Sequence, residues 1–190
     1  MEGFADDIEK CLEVLDSGGL ILYPTDTVWG IGCDATNAKA VARIYELKRR
    51  ADSKKMIVLM ASEKEAMQYV TQLDLAVFDY LSTRTKPTTV IYEGVIGLAE
   101  NILGEDGSVA IRICEEAFCK HLIKRFQKPI VSTSANVSGE STPSFFTEIK
   151  DEIINGVDYV VNYRQEDVNP KEPSSVIKWG RDGEVIVIRH

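Results

Sequence analysis

Histidine is almost missing from this chain of 190 residues: there are two, His121 and His190. Four cysteines, Cys11, Cys33, Cys114 and Cys119, make no C-x-x-C pair. That set argues against a structural zinc site, which needs four clustered ligands. A domain of this size buries roughly 70% of its unfolded surface and needs no covalent staple. The thiols are therefore expected to be reduced and mostly buried, as in a reducing compartment.

No apolar run approaches the ~18 residues of a membrane span. The opening MEGFADDIEKCLEVL is acidic and amphipathic, unlike a signal or transit segment. A cytoplasmic location with no membrane partner is expected. Neither a G-x-x-x-x-G-K-[ST] phosphate loop nor a G-x-S-x-G nucleophile elbow occurs. His121 falls inside an amphipathic helical stretch, which argues against a Ser-His-Asp hydrolase. Positive charge is also short: 22 Lys and Arg face 30 Asp and Glu, for a net charge of −8. A protein that grips RNA or DNA over its whole surface needs the opposite balance.

What is present describes one α/β domain over residues 1–190. Phe4, Ile8, Cys11, Leu12 and Leu15 form one helical stripe that Gly18-Gly19 stops. LILY (20–23) reads as a strand, 37–50 as a helix ending in basic residues, and MIVLM (56–60) as a buried strand. Residues 63–84 read as one or two helices, and TTVIYEG (88–94) as a strand. SVAIRIC (108–114) alternates so that Arg112 faces away from Val109, Ile111 and Ile113. A helix follows over 115–128, acidic at its start and basic at its end. PIVSTSAN runs from a strand into a hydroxyl-rich turn, and a short helix is expected near 144–155. YVVNY reads as a strand, and SSVIKW-GRDG-EVIVIRH as a hairpin. Strands joined by helices in some places and tight turns in others predict a mixed sheet.

Four stretches carry chemistry. Gly30-Ile31-Gly32-Cys33-Asp34-Ala35 satisfies the loose dinucleotide fingerprint G-x-G-x-x-A. That fingerprint needs its glycines at a strand-to-helix turn, and here PTDTVWG intervenes. Thr25, Asp26 and Thr27 are either a turn or working groups. Lys48, Arg49, Arg50, Lys54 and Lys55 are either a solvated helix end or a small polyanion site. STSANVSG (132–139) is either a polar turn or an anion nest.

Taken in order, YPTDTVWGIGCDA, the Lys48-Arg49-Arg50 cluster through SKKMIVLM, SVAIR, and STSANVSG followed by Thr142 resemble the YrdC-like threonylcarbamoyl-AMP synthases. The tail PSSVIKW…GEVIVIR resembles that family's last strands, and the length resembles its short, single-domain form. The resemblance implies a twisted, mixed parallel and antiparallel sheet flanked by helices, with an open concave cleft. It implies that L-threonine, bicarbonate and ATP give threonylcarbamoyl-AMP and pyrophosphate, with Mg2+ accompanying the ATP and no dedicated protein metal cage. The product would pass to separate tRNA threonylcarbamoyl-transfer proteins that modify adenosine 37. By position, Thr27, Arg112, Ser132 and Ser174 match threonine-side residues. Lys48, Arg50, Lys54, Thr89, Ser134, Asn136, Thr142 and Arg189 match ATP-side ones. No residue serves as a covalent nucleophile.

The chain departs from the family at TRTKPTTV, where a Trp-Pro-Gly-Pro-like run is commoner, at Ala51 in place of a proline, and at Leu59 in place of a polar contact. Hydrogenase-maturation modules of the same fold carry an acylphosphatase domain and C-x-x-C motifs, and neither occurs here. The alternative of another class is a non-catalytic protein that binds double-stranded RNA, or touches tRNA weakly, through a basic cleft. A sensor of threonine or ATP is a third.

Overall fold

Ala5–Asp16 form helix α1, with Asp6 and Asp7 in the first turn and Ile8, Cys11 and Leu15 buried. It stops where Gly18 takes a φ of 76° and the Gly19 N–H donates to the Val14 carbonyl. This is the computed structural model of the chain, and it describes residues 3–49, 56–180 and 183–190.

Strand β1 (Ile21–Tyr23) turns back into β2 (Gly30–Gly32), pairing Ile21 with Gly32 and Tyr23 with Gly30. No strand is expected at these two glycines from the sequence, where only LILY before them reads as one. They are strand residues because the sheet is crowded there. A Cβ on Gly32 would stand 2.6 Å from the Tyr23 ring and 2.7 Å from the Val131 carbonyl oxygen. The same pairing removes any dinucleotide turn.

Helix α2 (Ala38–Leu47) begins at Asn37, whose side chain accepts the N–H groups of Lys39 and Ala40. It ends at Leu47, short of the predicted residue 50, because Lys48 turns into the interior and Arg49 adopts a φ of 49°. Then come β3 (Ile57–Met60), α3 (Glu63–Tyr69), α4 (Ala76–Ser82), β4 (Thr88–Tyr92) and β5 (Val109–Ile113). Helix α5 (Ala117–Phe126) buries Phe118, Cys119, Leu122, Ile123 and Phe126, and packs beside α1. After β6 (Ile130–Ser134), the helix expected near 144–155 is split into a 3-10 turn at Phe146–Glu148 and α6 at Asp151–Ile154.

Strand β7 covers only Tyr159–Val160. The predicted five-residue strand is cut short because Asp7 of α1 takes the N–H groups of Asn162 and Tyr163, each at 2.9 Å. Strands β8 (Ser175–Trp179) and β9 (Val185–Arg189) form the expected hairpin, with an irregularity at Val176/Ile177.

The nine strands among the described residues make one open sheet in the order β7-β1-β2-β6-β3-β5-β4-β8-β9. The pairs β1–β7, β3–β5 and β4–β8 are parallel, and the rest are antiparallel. The mixed sheet flanked by helices follows the expectation. Its order matters for the site, since β2, β6, β3 and β5 lie side by side and bring together residues far apart in sequence, such as Gly30 with Ser134 and Leu59 with Arg112.

Candidate active site

The loop between β1 and β2 is organised by one hydroxyl. Thr25 Oγ1 donates to the Val28 carbonyl at 2.8 Å and accepts the Thr27 N–H at 3.0 Å. It also lies 3.0 Å from Thr27 Oγ1. A hydroxyl has one proton, and Thr25 spends it on Val28, so the Thr27 hydroxyl donates to Thr25. Both threonines are buried.

Arg112, on β5, reaches this loop from across the sheet. Its side chain is 3% exposed, and its Nη2 donates to Asp26 Oδ1 at 3.0 Å and to Thr27 Oγ1 at 3.2 Å. Thr27 Oγ1 thus keeps one free lone pair for an incoming donor. The Arg112 Nε is buried with no partner among the described residues. An unpaired buried N–H of a cation is costly, which marks it as a group awaiting an acceptor.

Ser132 and Ser134 come from β6, and Gly30 of β2 pairs with Ser134. A Cβ on Gly30 would lie 3.1 Å from Ser132 Oγ, so the glycine leaves room beside that hydroxyl. Ser174 sits at the entry to β8. Its hydroxyl is 2.8 Å from Thr89 Oγ1, and its carbonyl accepts Arg189 Nη2 at 2.8 Å and Nε at 3.2 Å. Burial, then the nearby Arg112 charge, push the Arg189 guanidinium below its ordinary range.

These groups surround a cavity of about 320 Å³. Of the residues nominated from sequence, Thr27, Arg112, Ser132, Ser134, Thr142, Ser174 and Arg189 line it. Thr89 stands behind Ser174. The Lys48 ammonium is turned onto the carbonyls of Ser134 and Asn136, so this buried cation holds the serine-rich turn from behind. The Asn136 amide donates to the carbonyls of Val137 and Glu140 within the same turn. Arg50 and Lys54 lie outside the described residues, as does Ala51.

Two neighbours and one pairing carry no signal in the sequence. The pairing is that of Asp26 with Arg112. Trp29 lines the cavity and packs at 4.9 Å against Phe146. Arg164 carries no motif at all, yet its Nη1 donates to the Thr25 carbonyl at 3.1 Å. Burial opposes the Arg164 charge, but Asp167 and Glu116 outweigh it and push the guanidinium up.

Asp167 is held down to about 2 from 3.8, chiefly by its hydrogen bonds from Arg164 and then by the Asn169 N–H. A depressed carboxylate stabilises the fold above pH ~4, and that contribution is lost as pH falls through about 2. Asp167→Asn is expected to cost about 1 kcal/mol at pH 7. The deficit should close as the pH approaches 2, which urea melts at three pH values would read.

All four cysteines are free and buried. Burial pushes the Cys11, Cys33 and Cys119 thiols well above their ordinary range. Among the described residues no group of three His, Cys, Asp or Glu could hold a metal ion. No described helix is long and apolar enough to cross a membrane.

The family model named Sua5_yciO_yrdC, described as "Telomere recombination", matches residues 13–190. The chain belongs to the Sua5/YciO/YrdC family. It is 29% identical over 181 residues to the threonylcarbamoyl-AMP synthase of Pseudoalteromonas translucida, covering 94% of this chain and 95% of that one. It is 32% identical over 151 residues to the threonylcarbamoyl-AMP synthase of Photobacterium profundum, covering 78% and 82%. Among solved structures, P. abyssi Sua5 complexed with L-threonine superimposes with a TM-score of 0.83 at 22% identity. That match covers 96% of this chain and 53% of the other, so the chain spans about half the length of that Sua5 and shares its fold over that half. These relatives do not favour the RNA-binding alternative.

Proposed function

We propose that this protein is an L-threonylcarbamoyladenylate synthase, a nucleotidyltransferase that joins L-threonine, bicarbonate and ATP. The observation that carries the reading is the Arg112 fork. A buried guanidinium with an unpartnered Nε lies beside Thr27, whose hydroxyl keeps one lone pair, inside a cavity that Ser132 and Arg189 also line. That unpartnered N–H of a cation suits a carboxylate oxygen, and the free lone pair on Thr27 suits an amine or hydroxyl donor. An amino acid offers both. The relatives named above are threonylcarbamoyl-AMP synthases, and one related structure is described as holding L-threonine.

The chemistry asks for no protein nucleophile. The threonine amine and bicarbonate give a carbamate with loss of water. A carbamate oxygen then forms a bond to the α-phosphorus of ATP as the bond to pyrophosphate breaks. The protein's part is to hold two anionic reactants together and to neutralise the charge of the displacement, which is positioning plus electrostatics. Arg112 and Arg189 supply positive charge to the cavity, while Arg50 and Lys54 are assigned to the phosphates by family position. Mg2+ is expected to enter on the triphosphate, neutralising part of its charge. The nearby Asp26 is committed to Arg112. The adenylate would then go to cytoplasmic tRNA threonylcarbamoyl-transfer proteins, with at most weak contact to the tRNA itself.

The test is incubation with labelled bicarbonate, ATP, Mg2+ and L-threonine, followed by chromatography of the nucleotides. The expected result is a labelled adenylate that forms only with threonine and in step with pyrophosphate. Absence of that adenylate from protein that binds both ATP and threonine would leave a sensor as the better account.

A further inference from the structure

The segment after β7 is fastened to the rest of the protein in two places. Asp7 holds its start through the N–H groups of Asn162 and Tyr163. At the next residue, Arg164, the backbone enters the left-handed region with a φ of 66°. A residue with a Cβ is strained there, and such strain persists only where the surroundings enforce it.

The surroundings of Arg164 are specific. Its side chain is 20% exposed and spends Nε and Nη2 on Asp167 Oδ2, at 3.2 and 2.8 Å. Nη1 is left for the Thr25 carbonyl at 3.1 Å, with Glu116 Oε1 3.6 Å away. A hollow of about 10 Å³ between this segment and the Pro24–Trp29 loop has about the room of a single water. The two pieces of chain are joined by the Arg164 contact to the Thr25 carbonyl.

From Thr25 the contacts run on into the cavity. The Thr25 hydroxyl fixes the N–H and the hydroxyl of Thr27, and Thr27 in turn accepts from Arg112. We infer that Arg164 is a positioning residue for the amino-acid half of the site. By holding the Thr25 carbonyl, it sets the Thr27 hydroxyl and the Arg112 fork where the carboxylate and amine of the substrate must lie. The inference rests on the reading of the cavity as a threonine site. The serine-rich turn has its own support in Lys48 and makes no hydrogen bond to Arg164 among the described residues. The effect is therefore confined to one substrate.

The test compares wild type with Arg164→Gln and Arg164→Lys. Threonine-dependent pyrophosphate release gives KM for each substrate, and calorimetric titration with L-threonine gives its affinity directly. Arg164→Gln is expected to raise the threonine KM about 30-fold, since a small misplacement of an orienting group is costly, and to move the ATP KM less than about twofold. Arg164→Lys should recover part of the loss, because an ammonium can still reach the Thr25 carbonyl but cannot also fork onto Asp167. A role in stability alone would lower the melting temperature without separating the two KM values.

Equal changes in both KM values, or a folded variant with an unchanged threonine KM, would overturn the inference. If Arg164→Gln does not fold, Arg164→Lys reads the same separation. Wild type that binds threonine without forming adenylate would refute the reaction and leave the titration to decide the role of Arg164. Wild type that binds no threonine removes both.

Discussion

Gly32→Ala is expected to lower stability by about 3 kcal/mol, at the upper end of what one added methyl costs in a packed core. For a chain of this length that is a fall of about 10 °C in melting temperature. The new Cβ would stand 2.6 Å from Tyr23 Cε1, 2.7 Å from the Val131 carbonyl oxygen and 3.1 Å from Ile130 Cγ2. None of these can retreat cheaply. Tyr23 is 1% exposed, and its hydroxyl donates to the Val131 carbonyl at 3.1 Å. The Val131 backbone is part of β6, which β2 and β3 clasp from either side. Activity should fall with stability, because β6 carries Ser132 and Ser134 into the cavity. A melting point within about 2 °C of wild type would show slack in the sheet and refute this account of why glycine occupies β2.

That strand also shows where sequence reading runs out. Period-two alternation needs side chains on both faces, and Gly-Ile-Gly offers only one. The glycines therefore looked like loop residues, although their lack of a Cβ is what admits them between Tyr23 and Val131. By contrast, α1 and α5 were legible because each buries a full stripe that its own residues define, and the β8–β9 hairpin was legible from its alternation alone, although Ile186, Val187 and Ile188 stay exposed. Lys48 was misjudged for a related reason. Beside Arg49 and Arg50 it looks like part of a solvated basic end, but the carbonyls that claim its ammonium are 86 and 88 residues further along the chain. Local charge density says nothing about such partners. Most of the cavity was legible because Thr27, Arg112, Ser132, Ser134 and Ser174 stand in ordered motifs. Arg164 stands in none, and only the docking of its segment onto Thr25 gives it significance.

Arg112→Lys carries the other large expected effect, about a 100-fold loss of kcat/KM for threonine, or about 3 kcal/mol. The ATP KM should change less than about threefold. Lysine keeps the charge, so the cavity stays cationic and Asp26 keeps a counter-ion. What is lost is the number and direction of donors. Arg112 commits Nη2 to Asp26 and Thr27 and still has Nε buried and unpartnered. One ammonium at the end of a flexible stem cannot hold the loop from Nη2's place and also present a donor where Nε stands. A competitor tests this directly. An amino alcohol, which keeps the amine and side chain but lacks the carboxylate, should bind wild type far more weakly than threonine and should bind Arg112→Lys with little further change. If both substrates lose affinity equally in the variant, the fork belongs to the nucleotide, and the amino acid must be sought nearer Ser174 and Arg189. If only threonine loses affinity, the carboxylate is placed at Arg112, and the orientation of the carbamate toward the α-phosphate follows from it.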